Sequence, residues 1–264
     1  MVYSYQKFLE RAMAERGPDH PIWEDNDKWR GRELGELADL YVPQVFQGPM
    51  SLRKMEPPEH SAVIKPVNGC SSRGVRPLQY SAMGDFYDLF AHTKVTWEEA
   101  VESALADKHT PRNQALLARN HPDAMRPPWI LEELILSDKG HLPDNWKAFC
   151  FGGEVKAIFQ SRRQQDGSLR IRWWDRNWQD IGDICPAKKW AYDRRMAGPK
   201  NPDKLIQGFE DVSSLVDSPF VRVDLYERGD EVVYGEVTPH PTGGGSPFVP
   251  KWDAIFGQAW HDAL

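Results

Sequence analysis

Apolar and polar positions alternate along two neighbouring segments of this chain, residues 220–226 and 232–238. Successive side chains of a strand point to opposite faces, so the pattern predicts a β-hairpin with one apolar face and one polar face. The polar positions carry ionisable or hydroxyl groups: Arg222, Asp224, Glu236 and Thr238. A polar face of this kind favours a binding or catalytic role for the hairpin.

The length of the turn decides which polar residues face each other. A three-residue loop at 229–231 pairs Asp224 with Glu236. The same register pairs Arg222 with Thr238, whereas a two-residue loop would shift the pairing by one residue. Two facing carboxylates repel each other unless a cation lies between them. The hairpin therefore predicts a site for a hard divalent cation, most often magnesium bound alongside phosphates.

Helical and strand patterns follow each other without regular alternation along the whole chain. Amphipathic periodicity, with glycine or proline at the ends, predicts helices over residues 1–16, 27–39, 97–120, 202–216 and 252–264. Apolar or alternating runs between turn residues predict further strands over residues 41–45, 61–66, 129–136, 146–151, 155–159 and 170–174. This mixed order indicates the α+β class rather than a doubly wound sheet.

Composition and charge narrow the function classes. The chain has 264 residues, 40% of them hydrophobic, which is enough to form a sizeable core in one domain or in two closely packed ones. A formal net charge of -6 argues against a general nucleic-acid or membrane-surface binder. There is no signal-peptide pattern, no apolar stretch long enough to cross a bilayer, and no metal-ligand spacing among the three cysteines. These features predict a cytoplasmic protein without disulfide bonds and without a membrane partner.

A second candidate site follows the predicted strand that contains Lys65. The loop at residues 68–74 offers hydroxyl groups, an arginine and glycines: Ser71, Ser72, Arg73 and Gly74 among them. Glycine lets backbone N–H groups point at an anion. The loop matches neither the Walker pattern nor GxGxxG, so a phosphate-binding loop and an ordinary surface loop both remain open.

Charged residues inside apolar strands give further candidates. Glu132 and Glu133 lie in an apolar strand, where carboxylates are seldom buried without a partner. Either one of them faces solvent at a sheet edge, or the segment is a hinge whose backbone pairs with an adenine. Lys147 alternates with apolar residues and points either into a cleft or to solvent.

Arginines and tryptophans are interleaved between residues 162 and 178, with Arg162 and Arg172 as candidate contacts to a substrate. A substrate-facing rim for an anionic acceptor and plain cation–π packing both explain this pattern. Stacking on nucleobases is a third explanation, which the acidic composition disfavours. His240, just after the hairpin, is a candidate base or metal ligand, or a loop histidine that makes a structural hydrogen bond.

The order and spacing of these motifs resemble the ATP-grasp superfamily, and most closely its TupA-like branch, named for teichuronopeptide biosynthesis. The likeness runs from Asn26-Asp-Lys28 to about residue 257. It also includes three segments between these limits: Trp174-Asp-Arg-Asn-Trp178, Pro199-Lys-Asn-Pro-Asp-Lys204 and Pro219-Phe-Val-Arg-Val-Asp-Leu-Tyr226. The resemblance rests on the order and spacing of all these motifs together.

The resemblance implies two α+β lobes that enclose a nucleotide cleft, with ATP and Mg²⁺ as cofactors. The regions it implies are an N-terminal region at 1–60, a small lobe with the phosphate loop at 61–128, and a C-terminal lobe with hinge and metal site at 129–264. The ATP contacts it implies are Lys65, the loop residues Ser71, Ser72, Arg73 and Gly74, the hinge residues Glu132, Glu133, Leu134 and Ile135, and Lys147. Asp224 and Glu236 would bind the metal, while Arg222 and Lys147 would act on the transferred phosphoryl group.

Two positions depart from the superfamily pattern. Thr238 stands where an asparagine often follows the metal-binding glutamate, which puts one metal site in doubt. The loop reads Gly-Cys-Ser-Ser-Arg-Gly in place of a shorter histidine–glycine–serine–glycine form. Arg73 then either replaces a phosphate contact or binds a substrate carboxylate.

The resemblance implies an ATP-dependent ligase that joins a carboxylate to an amine through an acyl phosphate. The carboxylate would belong to a small molecule, a peptide or a uronic-acid-type chain, and no nucleic acid would be involved. An ATP-grasp kinase that phosphorylates a hydroxyl group is the alternative, with His240 or Asp175 as its base. A nucleotide- or nucleic-acid-binding module without catalytic activity is the third hypothesis.

Overall fold

The structure is a computed structural model that describes residues 3–17, 19–69, 72–107, 128–187, 190–241, 245 and 247–264. The chain forms two compact units, each with its own six-stranded sheet. The larger unit consists of Met1–Asn26, Arg30–Val42 and Ser137–Leu264, and the smaller unit of Asp27–Trp29 and Pro43–Leu136. Because helices and largely antiparallel sheets occur together in the chain, the predicted α+β class is confirmed.

The helices of the described residues are α1 Tyr5–Glu15, α2 Ile22–Asn26, α3 Arg32–Leu37, α4 Trp97–Ala106, α5 Pro202–Leu215 and α6 Pro250–Asp262. Local sequence explains where several of them begin. Thr96 and Glu99 form a capping box at the start of α4, and α5 and α6 each have a proline in the first turn. The predicted continuation of α4 to residue 120 lies mostly outside the described residues. Within those residues, no helix is both long enough and apolar enough to span a bilayer.

The smaller unit contains β1 Val45–Met50, β2 Ala62–Pro66, β3 Arg76–Tyr80, β4 Phe86–Asp88, β5 Thr93–Val95 and β6 Trp129–Glu133. Its sheet has the order β1-β6-β2-β3-β4-β5, and every neighbouring pair is antiparallel. The apolar face of α4 shares a buried core with Ile64 of β2, Leu78 of β3 and Leu131 of β6. This packing fixes β2 and β6, the two strands that carry the candidate residues of this unit.

The larger unit contains β7 Asn145–Phe151, β8 Glu154–Arg163, β9 Leu169–Trp174, β10 Trp190–Tyr192, β11 Phe220–Arg228 and β12 Glu231–Thr238. The order is β10-β9-β8-β7-β11-β12, with β9 and β10 parallel and the other pairs antiparallel. Strand β11 thus lies between β7 and β12. Residues from these three strands can therefore meet on one face of the sheet.

The two faces of this sheet pack against different helices. One face, called here the α5 face, contributes Trp146, Ala148 and Val223 to a core with Leu205 and Phe209 of α5. The opposite face, called here the α6 face, contributes aromatic residues to a core with α1 and α6: Phe149, Phe151, Phe159, Trp173 and Phe220. Aromatic stacking links this face to α6, because the rings of Phe149 and Phe256 lie 5.6 Å apart.

The closing hairpin has the predicted register at its polar positions but a different turn. Arg222 pairs with Thr238 and Asp224 pairs with Glu236, so that part of the prediction is confirmed. The predicted three-residue loop is wrong, because Arg228 pairs with Glu231 and only two residues form the turn. A β-bulge at Gly235 adds one residue to β12 and restores the register that the shorter turn would have shifted.

The compact units differ from the three regions expected from the sequence. Strand β6, expected to open the C-terminal lobe, pairs with β1 and β2 and therefore belongs to the smaller unit. Helices α1, α2 and α3 belong to the larger unit, because α1 packs on α6 and the other two pack near β12. Tyr41, expected in a strand, forms an isolated bridge to Val233.

Gly235→Ala is expected to destabilise the protein by about 1–3 kcal/mol, the usual cost of overpacking. A Cβ atom there would lie 2.7 Å from the carbonyl oxygen of Asp224. This oxygen belongs to the backbone and cannot shift at a low energetic cost. Urea unfolding measures the change. Gly17→Ala is the matched control, since a Cβ atom at Gly17 meets nothing within 4 Å. Equal stability of the two variants would contradict this account of the bulge.

Candidate functional site

Five of the residues singled out from the sequence meet on the α6 face of the larger unit: Lys147 of β7, Arg222 and Asp224 of β11, and Glu236 and Thr238 of β12. Asp224 pairs with Lys147 on one side and with Glu236 on the other. Residues directly opposite in antiparallel strands share a face. Asp224 is therefore the centre of a charged group that spans three strands.

The carboxylate of Asp224 is almost fully buried, with 1% of the residue exposed. It accepts hydrogen bonds from Arg222, at 2.6 Å from Nε and 2.9 Å from Nη2. The Nζ atom of Lys147 donates to its Oδ2 atom. Buried carboxylates need such partners because isolated burial of a charge is strongly unfavourable.

Arg222 connects this carboxylate to the next strand. Its Nη2 atom also donates to the hydroxyl oxygen of Thr238 at 2.9 Å and approaches Oε1 of Glu236 at 3.4 Å. Two cations and two carboxylates thus share one partly enclosed site. The Glu236 side chain is the most accessible of the four, at 29% exposure. It is therefore the carboxylate that an incoming ligand reaches most easily.

Burial and charge act in opposite directions on the two cations. Burial lowers the pKa of Lys147, although the nearby carboxylate of Asp224 opposes this shift. Burial also acts to lower the pKa of Arg222, but attraction and hydrogen bonding to Asp224 outweigh it and raise that pKa. Arg222 therefore stays charged, and the charge of Lys147 depends on keeping an anion beside it.

The oxygen atoms of Asp224, Glu236 and Thr238 are hard donors of the type that Mg²⁺ prefers. Among the described residues, no cluster of three or more His, Cys, Asp or Glu side chains is close enough to hold a metal ion by itself. The pair Asp224 and Glu236 suits a cation that takes its other ligands from water and phosphate. The donor set therefore fits magnesium brought in with a nucleotide.

In the smaller unit, Lys65 of β2 and Glu132 of β6 form an ion pair at 2.5 Å. Both side chains are largely buried, at 15% and 8% exposure. The solvent-facing explanation is therefore wrong for Glu132. The carboxylate is instead the buried partner of the lysine predicted to contact phosphates.

The segment after β6 carries the predicted hinge. The backbone N–H of Glu133 donates to the carbonyl oxygen of Gln44 at 2.8 Å, which ties this residue to the neighbouring segment. Leu134 and Ile135 follow and are buried. Neither makes a backbone–backbone hydrogen bond within the part of the chain that the structure describes. Backbone contacts to a base therefore suit Leu134 and Ile135 better than Glu133.

The predicted phosphate loop is anchored at its far end. Arg73 donates to Asp107 at 2.8 Å, and the backbone N–H of Gly74 donates to the other carboxylate oxygen of Asp107 at 3.1 Å. Ser72 and Arg73 are exposed, whereas Gly74 is buried against Trp129. Ser71 lies outside the described residues. Arg73 thus has a carboxylate partner that the sequence did not indicate.

Arg162 and Arg172 do not share a face with Lys147. In the register of β7, β8 and β9, Lys147 pairs with Phe159, whereas Arg172 pairs with Gln160, the next residue. Both arginines therefore lie on the α5 face, opposite the charged group around Asp224. Arg172 stacks on Trp174 at 3.8 Å, which agrees with the cation–π explanation.

His240 contacts Arg16, a residue that the sequence did not single out. Arg16 is 7% exposed, and its Nη1 atom lies 2.9 Å from Nε2 of His240 while its Nη2 atom lies 2.8 Å from Oγ of Ser218. A guanidinium only donates hydrogen bonds, so Nε2 of His240 accepts one. This arrangement agrees with the structural explanation for His240. The prolines at the start of β11 and after the end of β12 gave no signal for this contact with Arg16, which directly follows α1.

Comparison with known proteins gives a match to one family model, that of the TupA-like ATP-grasp proteins, over residues 48–261. This range covers most of the chain. No curated protein matches the sequence.

Several solved structures are also similar. A D-alanine–D-alanine ligase from Helicobacter pylori has 13% identity and a TM-score of 0.49, over 98% of this chain and 66% of that one. A D-alanine–D-alanine ligase from Bacillus anthracis complexed with ATP has 11% identity and a TM-score of 0.47, over 98% and 72%. The ATP-grasp ligase PsnB complexed with minimal precursor, Mg and ADP has 14% identity and a TM-score of 0.42, over 90% and 58%. The chain thus spans only part of the length of each structure.

Asp224→Asn is expected to destabilise the protein by about 3 kcal/mol, because it leaves two buried cations without their anion. Urea unfolding measures the loss. Glu231→Gln, on an exposed carboxylate of the same hairpin, is the control and should change stability by less than about 0.5 kcal/mol. Adding Lys147→Met to Asp224→Asn should recover part of the loss. A fully stable Asp224→Asn variant would contradict the central role of this carboxylate.

Asp107→Asn is expected to lower stability at neutral pH but not in acid. Burial acts to raise the pKa of Asp107, but hydrogen bonds from Arg73 and Gly74 outweigh it and lower that pKa. The stabilisation is therefore fully present above the unfolded-state pKa of about 3.9 and disappears as pH falls through the lower folded-state pKa. In thermal unfolding, the difference in stability between this variant and the wild type should decrease from pH 7 to pH 2. Asp85→Asn, an exposed carboxylate of the same unit, should show no such closing difference.

Proposed function

Because this chain belongs to the TupA-like ATP-grasp family, we propose that it is an ATP-dependent ligase that joins a carboxylate to an amine. The family match confirms the resemblance found in the sequence, and with it the prediction of an ATP-grasp enzyme. The observation that carries the proposal is the convergence of Lys147 and Arg222 with Asp224 and Glu236 on one face of a sheet. Phosphoryl transfer from ATP needs this combination of cations and metal-binding carboxylates.

The reaction activates the carboxylate before the amine reacts. A carboxylate oxygen attacks the γ-phosphorus of ATP, here a substrate, and the bond from that phosphorus to the ADP oxygen breaks. The product is an acyl phosphate, which has a good leaving group. The amine nitrogen then attacks the acyl carbon, phosphate leaves, and the nitrogen loses a proton. The products are an amide, ADP and phosphate.

Arg222 and Lys147 supply positive charge for the transferred phosphoryl group. Hydrogen bonds to Asp224 hold both side chains in place before a phosphate arrives. One preorganised donor of this kind contributes about 3 kcal/mol to transition-state stabilisation. In the smaller unit, Lys65 would contact the phosphates of ATP. The loop that follows would contact them as well, through the exposed Ser72 and Arg73 and through Ser71 and Gly74.

Asp224 and Glu236 would hold the magnesium ion, with the Thr238 hydroxyl group beside them. When bound, the ion neutralises negative charge on the phosphate oxygens. Thr238 already accepts a hydrogen bond from Arg222, so its more direct role is to orient that guanidinium. The adenine would be held by the hinge residues Glu132 to Ile135, through the backbone of Leu134 and Ile135.

The kinase alternative has less support, because both proposed bases have other hydrogen bonds. Nε2 of His240 accepts from Arg16, and a carboxylate oxygen of Asp175 accepts from the backbone N–H groups of Asn177 and Gln179 in a turn. The nucleic-acid alternative is disfavoured by the net charge of -6.

Glu236→Gln is expected to lower turnover at least 100-fold while the protein stays folded, since the side chain is partly exposed and its loss removes a metal ligand. ADP release, measured with ATP, magnesium and pooled carboxylates and amines, gives the rate. Glu231→Gln is the control, because it changes a carboxylate of the same strand whose partner is Arg228 at 2.8 Å. Near wild-type turnover in Glu236→Gln would remove Glu236 from the metal site.

The ligase reaction is tested by counting ADP and free phosphate in the same sample. One phosphate should appear for each ADP, and only when both a carboxylate and an amine are present. ADP without free phosphate would mean that the phosphoryl group stayed on an acceptor, and the kinase alternative would replace the ligase. ADP and phosphate formed equally without any amine would indicate simple ATP hydrolysis and would also contradict the proposal.

A further inference from the structure

A pocket of ≈ 250 Å³ lies in the larger unit, beside the ends of β8 and β9. Its lining consists of Arg162, Gln164, Arg170, Asp193, Arg195 and Met196. Half of these residues are arginines, although the chain as a whole carries a net charge of -6. The pocket is therefore a locally positive concave surface on an acidic protein.

The pocket is separate from the charged group around Asp224. Arg162 and Arg170 pair across β8 and β9, and they lie on the α5 face with Arg172. Lys147 and Asp224 lie on the α6 face of the same sheet. A ligand in this pocket would therefore be on the other side of this sheet from Lys147 and Asp224.

Carboxylates hold the arginines in fixed positions. Asp144 accepts from Nε and Nη2 of Arg162 at 2.6 and 2.7 Å. Asp193 accepts from Arg170 and from Arg195, each at 3.1 Å. Hydrogen bonds from the side chain and backbone of Arg195 lower the pKa of Asp193 to about 2. Asp193 therefore stays ionised at neutral pH and keeps both guanidinium groups in place.

Asp144 and Asp193 do not occupy all the N–H groups of the three guanidinium groups. Two carboxylates hold three guanidinium groups, which leaves one positive charge uncompensated within this cluster. Arg170 uses only one guanidinium nitrogen in its contact with Asp193, and within the described residues no other bond to this side chain occurs. Arg162 and Arg170 are about half-exposed and Arg195 is exposed.

We propose that this pocket is a second binding site, for an anionic group that presents two or more oxygen atoms to the arginines. The planar guanidinium fork matches the geometry of carboxylate and phosphate, and fixed arginines lose little side-chain entropy on binding. The pocket suits one such group at a time. This inference does not depend on the proposed ligase activity, because it concerns the opposite face of the sheet.

Isothermal titration at low ionic strength tests the site, with inorganic phosphate in one series and citrate in the other. Low salt is needed because exposed charges are screened. The variant Arg170→Gln/Arg195→Gln should lose at least tenfold in affinity for the anion that the pocket binds. The control Arg11→Gln/Arg176→Gln removes the same charge from two carboxylate-paired arginines outside the pocket, and its affinity should stay within twofold of wild type.

The phosphate and citrate titrations distinguish a site for phosphoryl groups from a site for carboxylates. Tight binding of phosphate alone would assign the pocket to phosphoryl groups, and tight binding of citrate alone would assign it to carboxylates. In either case Arg170→Lys/Arg195→Lys should recover less than half of the lost binding free energy, because an ammonium group cannot form a bidentate contact. Equal losses in the pocket variant and the control variant would overturn the proposal. So would unchanged binding in the pocket variant, or no saturable binding to the wild type.

Discussion

The larger unit depends on one buried anion, the carboxylate of Asp224. Lys147 and Arg222 approach it from two strands, and without it their positive charges would face each other in a site shielded from water. Without the cations, the carboxylate itself would be buried and uncompensated. The ion pairs that stabilise the sheet in this region are thus made by the groups proposed to act on ATP. Phosphate binding would exchange the partners of Lys147 and Arg222 rather than bring charge into an empty site.

The smaller unit follows the same rule. Lys65 pairs with Glu132, and Arg73 pairs with Asp107. Each cation proposed to meet a phosphate, among those the structure describes, therefore has a carboxylate partner in the same unit. Releasing these partners costs part of the binding free energy, and the same partners compensate the positive charges before the nucleotide arrives. Affinity is reduced in exchange for a preorganised site.

The sequence was sufficient to predict the features that depend on the local alternation of apolar and polar residues. The strands of the hairpin and the α+β class followed from periodicity, and the ATP-grasp resemblance from the order of motifs. The facing pairs were predicted from a three-residue turn that the structure does not have, and they hold because the bulge at Gly235 offsets the shorter turn. Alternation could not predict the bulge at Gly235, because a glycine in a strand pattern is compatible with regular pairing as well. The face of Arg162 and Arg172 depends on their register with β7, which is set by contacts distant in sequence. For the same reason, the carboxylates Asp107 and Asp144 were not recognised as partners of loop and strand arginines.

The bulge in β12 couples two features that would otherwise vary independently. The short turn and the extra residue at Gly235 cancel each other, so that Glu236 stays opposite Asp224. A relative that lengthens the turn by one residue must also lose the bulge, or the pair proposed to bind metal would fall out of register. Turn length and the residue before this glutamate should therefore covary among homologues. That covariation would leave a record of the pairing between Asp224 and Glu236 even in homologues too divergent for the strands themselves to align.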